Sequence, residues 1–164
     1  MSDQFDPEMR SWIMRQVRSK NTAPERFVRS LAHSMGYRFC LHKKDLPGCP
    51  DIVFPARQKV LFVNGCFWHG HSCKRARLPK TRHKYWALKI ARNISRDRSH
   101  RRKLRSLGWN VLVIWECQLK DSVKLKGRID EFLRTLPKLT MQTPNKKNSN
   151  RPNQRRKASK ARRK

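Results

Sequence analysis

KVLFVNGC, at residues 59–66, returns in pattern at residues 110–117 as NVLVIWEC: a polar residue, an apolar run and a terminal cysteine. Short apolar runs rich in β-branched residues predict buried strands. The segment 82–106 between them has helical spacing, which is typical of a strand–helix–strand crossover. Because parallel strands end at the same edge of a sheet, we expect Cys66 and Cys117 to lie close together.

The remaining elements predict a mixed α/β fold, in which helices flank the sheet. Thr22 and Glu25 have the spacing of a capping box at the start of a helix. Other apolar runs rich in aromatic residues have the character of strands. We expect further helices over 7–18, 23–35 and 122–136, and further strands over YRFCLH (37–42) and DIVF (51–54).

The chain is strongly basic, with 41 Lys and Arg against 11 Asp and Glu, a net charge of +30 and a pI near 11.4. Such a charge favours a polyanionic partner, nucleic acid first and an anionic membrane surface second. The longest apolar runs are too short for a membrane span, and the polar N-terminus has no secretory signal. The 5 cysteines of an intracellular protein favour free thiols or a metal over disulfides.

The C-terminal segment differs in composition from the rest. Residues 140–164 are rich in Lys and Arg and lack acidic or aromatic residues, so they cannot bury enough surface to fold alone. We expect a folded domain over 1–139 and a disordered basic tail over 140–164 that attracts phosphates in a salt-sensitive way.

Three cysteines and a histidine form a closed metal-ligand set. Cys66, His71 and Cys73 share one loop, and Cys117 arrives from the neighbouring strand end. Three thiolates and one imidazole suit a structural Zn²⁺ with no open coordination position. His69 competes with His71 for the ligand role, and spacing does not choose between them. The alternative is that the cysteines are ordinary buried residues.

Four stretches resemble the very-short-patch-repair mismatch endonucleases: RSKNTAPE (18–25), LPGCPD (46–51), KVLFVNGCFWHGHSC (59–73) and RNISRDRSHRRKLRSLGWNVLVIWEC (92–117). The resemblance covers about residues 9–136. It implies a restriction-endonuclease-like fold and a structural zinc held by Cys66, His71, Cys73 and Cys117, which leaves His69 free.

The same resemblance implies Mg²⁺-dependent nicking of double-stranded DNA, on the 5′ side of the T of a T:G mismatch. Such mismatches arise from deaminated 5-methylcytosine. The implied setting is the bacterial cytoplasm, with a monomer bound to DNA and mismatch-repair proteins as further partners.

Asp51 is the expected ligand of the catalytic cation. It stands between Pro50 and the apolar run IVF, where a strand leaves a turn. Phosphodiester hydrolysis with Mg²⁺ needs hard oxygen ligands, which a carboxylate on a rigid strand provides. The alternative is a solvated turn aspartate. The resemblance implies that Asp51 binds the metal together with the backbone carbonyl of Val63.

Acid–base chemistry is expected from His69, oriented by Asp97. The best-known family pattern has histidine where this chain has Asn64, and asparagine cannot transfer a proton near neutral pH. A free His69 suits that role; the alternative is support of the zinc loop. Asp97 interrupts an apolar helical stripe and needs a partner, for which Arg101 is the alternative to His69.

Glu25 has a structural explanation as the capping-box residue, and the resemblance also implies a position near the catalytic metal. Phe67 and Trp68 lie between the zinc ligands, where rigid aromatic rings could wedge between bases, or could line a small core. The resemblance implies such a wedge, with Met14 entering from the opposite groove. Competing hypotheses are a zinc-stabilised DNA- or mismatch-binding module without catalysis and a basic RNA-binding protein.

Overall fold

The computed structural model describes Asp6, Glu8, Met9, Trp12 and residues 20–135. Its helices and strands are α1 (Ala23–Ser34), β1 (Cys40–Leu41), β2 (Ile52–Phe54), β3 (Lys59–Asn64), α2 (His83–Ser106), β4 (Asn110–Trp115) and α3 (Ser122–Arg134). Short 3₁₀ turns follow β2 and β4 and lie in the loop after β3.

Two of the predictions extend beyond these residues. Of the helix expected over 7–18, Glu8, Met9 and Trp12 are helical, while Met14 lies outside the described residues. The boundary expected between 139 and 140 also lies outside them, together with the basic segment 140–164.

The sheet has the strand order β1-β2-β3-β4. The first two pairs are antiparallel, whereas β3 and β4 are parallel and in register from Lys59 opposite Asn110 to Asn64 opposite Trp115. Helix α2 makes the crossover between the parallel strands, which confirms the strand–helix–strand unit predicted from the repeated apolar pattern. Both strands therefore deliver the residues after them to one edge of the sheet.

Strand β1 is shorter than the six residues expected over 37–42. Only Cys40 and Leu41 pair with β2, opposite Val53 and Ile52. The next residue, His42, has a left-handed backbone with φ of 47°, which ends the pairing. The aromatic residues of this segment pack in the core instead. The rings of Tyr37 and Phe39 contact Phe54 edge-on.

Apolar residues fill both faces of the sheet, as the two-residue period of strands requires. On one face α1 and α3 pack over Ile52, Phe54, Leu61 and Ile114. On the other face Val53 and Val60 pack with Leu46 and with Leu104 of α2. The sheet is thus a middle layer between two helical layers, which is the mixed α/β architecture expected.

Capping groups place the helix ends. Thr22 Oγ1 accepts a hydrogen bond from Glu25 N at the start of α1, as the capping-box pattern predicts. At the end of α3, the fully buried Lys59 ammonium donates to the carbonyls of Phe132, Leu133 and Thr135. A cation at this end satisfies exposed carbonyls and complements the helix dipole. Within the described residues, no helix has the length and hydropathy needed to cross a bilayer.

Candidate active site and metal centre

The edge where β3 and β4 end carries a cluster of sulfur and nitrogen ligands. One ligand atom from each of four residues lies within 4.8 Å of the others: Cys66, His71, Cys73 and Cys117. Cys66 follows β3 and Cys117 follows β4, so the parallel pairing brings the two cysteines together as expected. A hydrogen bond of 3.0 Å from His71 N to the carbonyl of Cys66 folds the loop back onto its first ligand.

The loop is held tightly against α2. Gly70 has φ of 63°, and a Cβ at this position would lie 2.6 Å from Ile94 Cδ1. Glycine is therefore favoured here, chiefly by the left-handed backbone and also by the close approach to Ile94. Asn93 Nδ2 also donates to the carbonyl of Trp68 at 3.0 Å, which fixes the middle of the loop to the helix.

Electrostatics in this cluster suit a dication. Burial raises the pKa of the Cys66 thiol, whereas a hydrogen bond with the His71 side chain lowers the pKa of Cys73. Adjacent thiols resist becoming thiolates together, because like charges raise one another's pKa. A bound cation removes that repulsion. Four protein ligands leave no open position, so this set can bind a metal as a structural crosslink.

Aromatic stacking orients one of these ligands. The His71 ring stacks on Trp115, with centroids 4.4 Å apart and planes 29° apart, and its Nδ1 lies 3.6 Å from Cys117 Sγ. The imidazole nitrogen therefore faces the sulfur atoms. Of the two competing histidines, His71 belongs to this cluster and His69 does not.

Asp51 stands immediately before β2 and is tied to the adjacent strand. Its Oδ2 accepts a hydrogen bond of 2.7 Å from Val63 N, so the second carboxylate oxygen remains available. Burial raises the pKa of Asp51 to about 6, the Val63 hydrogen bond opposes this shift, and the charge of Glu25 adds to it. A carboxylate that is costly to ionise in the free protein gains from a nearby cation.

Glu25 lies beside Asp51 and has two kinds of contact. It is 3% exposed, and its Oε2 accepts hydrogen bonds from Asn21 N at 3.0 Å and from Arg29 Nη2 at 2.7 Å. The cap and the position near the expected metal ligand therefore coexist. His42 joins the same group, since ligand atoms of Glu25, His42 and Asp51 lie within 4.8 Å of one another.

His69 and Asp97 form a close pair, with 2.5 Å between His69 Nδ1 and Asp97 Oδ2. Asp97 reaches this position from the middle of α2, so its partner is His69, whereas Arg101 was the alternative. A carboxylate only accepts hydrogen bonds, so Nδ1 carries the proton and Nε2 keeps its lone pair. When His69 is protonated, its charge lowers the pKa of Asp51, which places the pair near that carboxylate.

Asn64 is the last residue of β3 and lies opposite Trp115 of β4. It is 5% exposed, a low value for an amide side chain. An asparagine side chain at this position can donate and accept hydrogen bonds but cannot transfer a proton near neutral pH.

The Phe67 and Trp68 rings belong to a larger aromatic cluster on α2. Their centroids lie 5.2 and 5.9 Å from that of Trp86, and both rings are half-buried. Lys89 Nζ lies 5.2 Å from the centroid of Trp86 and 5.5 Å from that of Trp68. These rings neither stand free in solvent nor fill the interior, and the cluster presents a mixed aromatic and cationic surface.

Sequence reasoning missed parts of both groups. Trp86 belongs to the apolar helical stripe that Asp97 interrupts, and its place in an aromatic surface was not predicted, although its spacing of three residues from Lys89 does indicate a shared helical face. His42 and Arg29 belong to no motif. The left-handed turn at His42 has no sequence signal, since it depends on where β1 ends.

Comparisons with known proteins agree with this architecture. The family model described as DNA mismatch endonuclease Vsr matches residues 2–75. The chain is 56% identical over 133 residues to the type II nicking enzyme V.XorIIP of Xanthomonas oryzae pv. oryzae, covering 81% of this chain and 98% of that protein. It is 41% identical over 138 residues to the DNA mismatch endonuclease Vsr of Escherichia coli K12, covering 81% of this chain and 88% of that protein.

Among solved structures, the catalytic domain of the homing endonuclease I-Bth0305I matches with a TM-score of 0.50 at 22% identity, covering 68% of this chain and 94% of that chain. This likeness supports the endonuclease-like fold alone. The sequence matches reach further, because they extend over nearly the whole length of the relatives. The chain therefore belongs to the Vsr family of DNA mismatch endonucleases, which are strand-nicking enzymes acting on DNA.

Proposed function

We propose that this enzyme nicks double-stranded DNA on the 5′ side of the T of a T:G mismatch, in the repair of deaminated 5-methylcytosine. The relatives are named either DNA mismatch endonuclease or type II nicking enzyme. The T:G specificity therefore goes beyond what these names have in common, which is the cleavage of DNA. The observation that supports the proposal is that a buried carboxylate, a histidine paired with an aspartate and an aromatic cluster lie at one end of the sheet.

The catalytic cation is proposed to be Mg²⁺, with Asp51 and the backbone carbonyl of Val63 as ligands. The fit rests on the free oxygen of Asp51, since its Oδ2 is already bonded to Val63 N. When bound, Mg²⁺ supplies charge neutralisation at the scissile phosphate and lowers the pKa of a bound water. Glu25, buried beside Asp51, adds negative charge that favours a dication at this position.

His69 is the proposed general base. Asp97 holds the His69 proton on Nδ1, so Nε2 is free to accept a proton from the attacking water. Asn64 hydrogen-bonds a phosphate oxygen in the position that histidine has in the best-known family pattern. This division assigns proton transfer to one histidine and orientation to Asp97.

The ligand set Cys66, His71, Cys73 and Cys117 is proposed to hold a structural Zn²⁺. Three thiolates and an imidazole are the ligands that zinc prefers in tetrahedral sites, and zinc there crosslinks the loop to the end of β4. The crosslink gives Phe67 and Trp68 a rigid base from which to wedge beside the mismatch, with Met14 entering from the opposite groove. Unstacking is easier at a mismatch than at a paired step, which makes the wedge selective.

The whole chain is proposed to act as a monomer on DNA in the bacterial cytoplasm, beside mismatch-repair proteins. Residues 1–139 would form the endonuclease domain. The basic segment 140–164 would add salt-dependent attraction to DNA without selecting a sequence.

The test uses duplexes with one central T:G, T:A or C:G pair and randomised flanks, because the preferred sequence context is unknown. Wild type and Asp51→Ala are incubated with Mg²⁺, and strand-specific nicks are mapped by sequencing the ends while binding is measured by fluorescence anisotropy. The proposal predicts nicks 5′ to T in the T:G pool, and their loss in Asp51→Ala with binding retained.

Other outcomes separate the alternatives. Nicks at one sequence regardless of the central pair would contradict mismatch specificity and leave a site-directed nicking enzyme. Preferential T:G binding without any nick would favour the mismatch-binding module, for which Asn64 is the structural reason.

A further inference from the structure

His42 adds an imidazole to the two carboxylates of Glu25 and Asp51, and these three residues form the carboxylate cluster. His42 belongs to none of the motifs described in the sequence. Its Nε2 lies 3.8 Å from Glu25 Oε2, too far for a hydrogen bond, and one of its ring nitrogens lies within 4.8 Å of an Asp51 oxygen. The left-handed backbone at His42 follows directly after β1, which runs beside the β2 strand that Asp51 precedes. Two carboxylates and one imidazole from three separate elements therefore converge on one small volume.

The contact with Arg29 determines the tautomer of His42. Arg29 Nη2 lies 2.9 Å from His42 Nε2. A guanidinium has only donors, so Nε2 must be the acceptor and the His42 proton must lie on Nδ1. His42 is thus neutral, and its Nε2 lone pair accepts from Arg29. This is the form of histidine that binds metals.

Charge in the cluster is unbalanced within the described residues. Glu25 and Asp51 are two carboxylates, and Arg29 is the guanidinium that pairs with Glu25 at 2.7 Å. Arg29 also donates through Nη1 to Asn21 Oδ1 at 2.7 Å, on the exposed side. The guanidinium can keep this outer contact and its bond to Glu25 when it releases His42 Nε2. Two carboxylates and one guanidinium leave a net negative charge on these groups, which favours a cation among the three ligands.

We infer that His42 Nε2 is a direct ligand, together with Glu25 and Asp51, of a divalent cation, and that it makes this site prefer first-row transition ions such as Mn²⁺ over Mg²⁺. A nitrogen ligand favours transition ions, whereas a set made only of oxygen atoms suits Mg²⁺. The inference rests on the proposed function, since it concerns the same cation site. It adds Glu25 and His42 to Asp51 as side-chain ligands, and it adds the ion preference.

The experiment is a Mn²⁺ titration of the zinc-loaded, DNA-free full chain, followed by electron paramagnetic resonance, with Mg²⁺ as competitor. Pulsed resonance measurements on the bound Mn²⁺ detect coupling to a ¹⁴N nucleus. The variant is His42→Asn, because asparagine tolerates the left-handed backbone and lacks the imidazole. His33→Asn, an exposed histidine of α1, is the matched control, and His69→Gln removes the other nearby imidazole.

Wild type should bind Mn²⁺ at least tenfold more tightly than Mg²⁺ and show ¹⁴N coupling. His42→Asn should lose about tenfold or more in Mn²⁺ affinity together with the coupling, since even outer partners of metal ligands contribute this much. The two other histidine variants should keep the coupling. Unchanged affinity and coupling in His42→Asn, or coupling lost in His69→Gln alone, would overturn the inference.

Asp51→Asn separates this inference from the proposed function. If Asp51→Asn loses Mn²⁺ binding while His42→Asn keeps it, the cation site stands and His42 is not a ligand. If Asp51→Asn binds Mn²⁺ as wild type does, the proposed catalytic site itself fails. Zinc content and circular dichroism of each variant establish that the fold is retained.

Discussion

The sulfur cluster (Cys66, His71, Cys73 and Cys117) and the carboxylate cluster (Glu25, His42 and Asp51) are built in opposite ways. Three of the four sulfur-cluster ligands share a single loop, and the fourth follows the parallel partner strand. The carboxylate cluster collects Glu25 from a helix start, His42 from a left-handed turn and Asp51 from a strand start. The first offers four ligand atoms, which would complete a tetrahedral site, whereas the second offers three, which would leave coordination positions for water and phosphate. On the proposal above, the first is a structural crosslink and the second a site for chemistry.

The largest expected effect comes from removing one ligand of the sulfur cluster. Cys117→Ser removes the ligand that joins the loop to β4, so metal content and stability should fall together. The free energy of unfolding should fall by several kcal/mol, because binding of a structural zinc contributes about 10 kcal/mol or more. Metal analysis and thermal unfolding measure the two quantities. Cys40→Ser, an exposed cysteine outside the cluster, is the control and should change neither. Full metal content in Cys117→Ser would remove Cys117 from the ligand set.

The second effect concerns His69, the histidine that pairs with Asp97. Asp97→Asn replaces an acceptor with a group that can donate, so His69 loses the bond that holds its proton on Nδ1. Single-turnover nicking should slow by about 10²–10⁴-fold while DNA affinity stays within about twofold. Arg101→Gln tests the alternative partner and should leave the rate near wild type. Equal losses in the two variants would contradict the assignment of His69 as the partner.

A third effect should appear in the absence of any catalytic cation. Burial raises the pKa of Asp51 from 3.8 to about 6, so ionised Asp51 destabilises the fold at neutral pH by about 3 kcal/mol. Below pH 3.8 the Asp51 carboxyl is protonated in the folded and the unfolded chain, so it does not lower the free energy of unfolding. The loss of stability grows as the pH rises towards about 6 and is constant above that pH.

Asp51→Asn removes that penalty. Denaturant unfolding of the cation-free protein should therefore show a stabilised variant at pH 7.5 and no gain at pH 4. Asp45→Asn, whose side chain is 63% exposed, is the control and should show no such pH dependence. A variant less stable than wild type at pH 7.5 would contradict the buried, costly carboxylate.

The smallest effect tests whether Trp115 orients His71 in the sulfur cluster. Trp115→Leu removes the ring that stacks on His71 at 4.4 Å, which leaves all four ligands in place. Zinc affinity measured by chelator competition should fall by about tenfold, the usual effect of losing a group that orients a metal ligand. Affinity equal to wild type would mean that the loop alone orients His71.

The same contrast explains which features sequence could predict. The repeated apolar pattern at 59–66 and 110–117 predicted the parallel pair, and dense ligand spacing predicted the sulfur cluster. Strand β1 was overestimated because its aromatic residues pack in the core without pairing. His42 and Arg29 could not be found, since their positions depend on a left-handed turn and on a side-chain contact between distant elements. Local patterns specify the elements, while ligands from separate elements meet only through tertiary packing.

Anomalous diffraction from a crystal of the zinc-loaded protein soaked in Mn²⁺ tests the division between the two clusters most directly, with data at the zinc and manganese edges. We predict a zinc peak enclosed by Cys66, His71, Cys73 and Cys117, and a separate manganese peak that contacts Asp51, Glu25 and His42. A sulfur cluster without zinc, or manganese bound away from Asp51, would contradict the account.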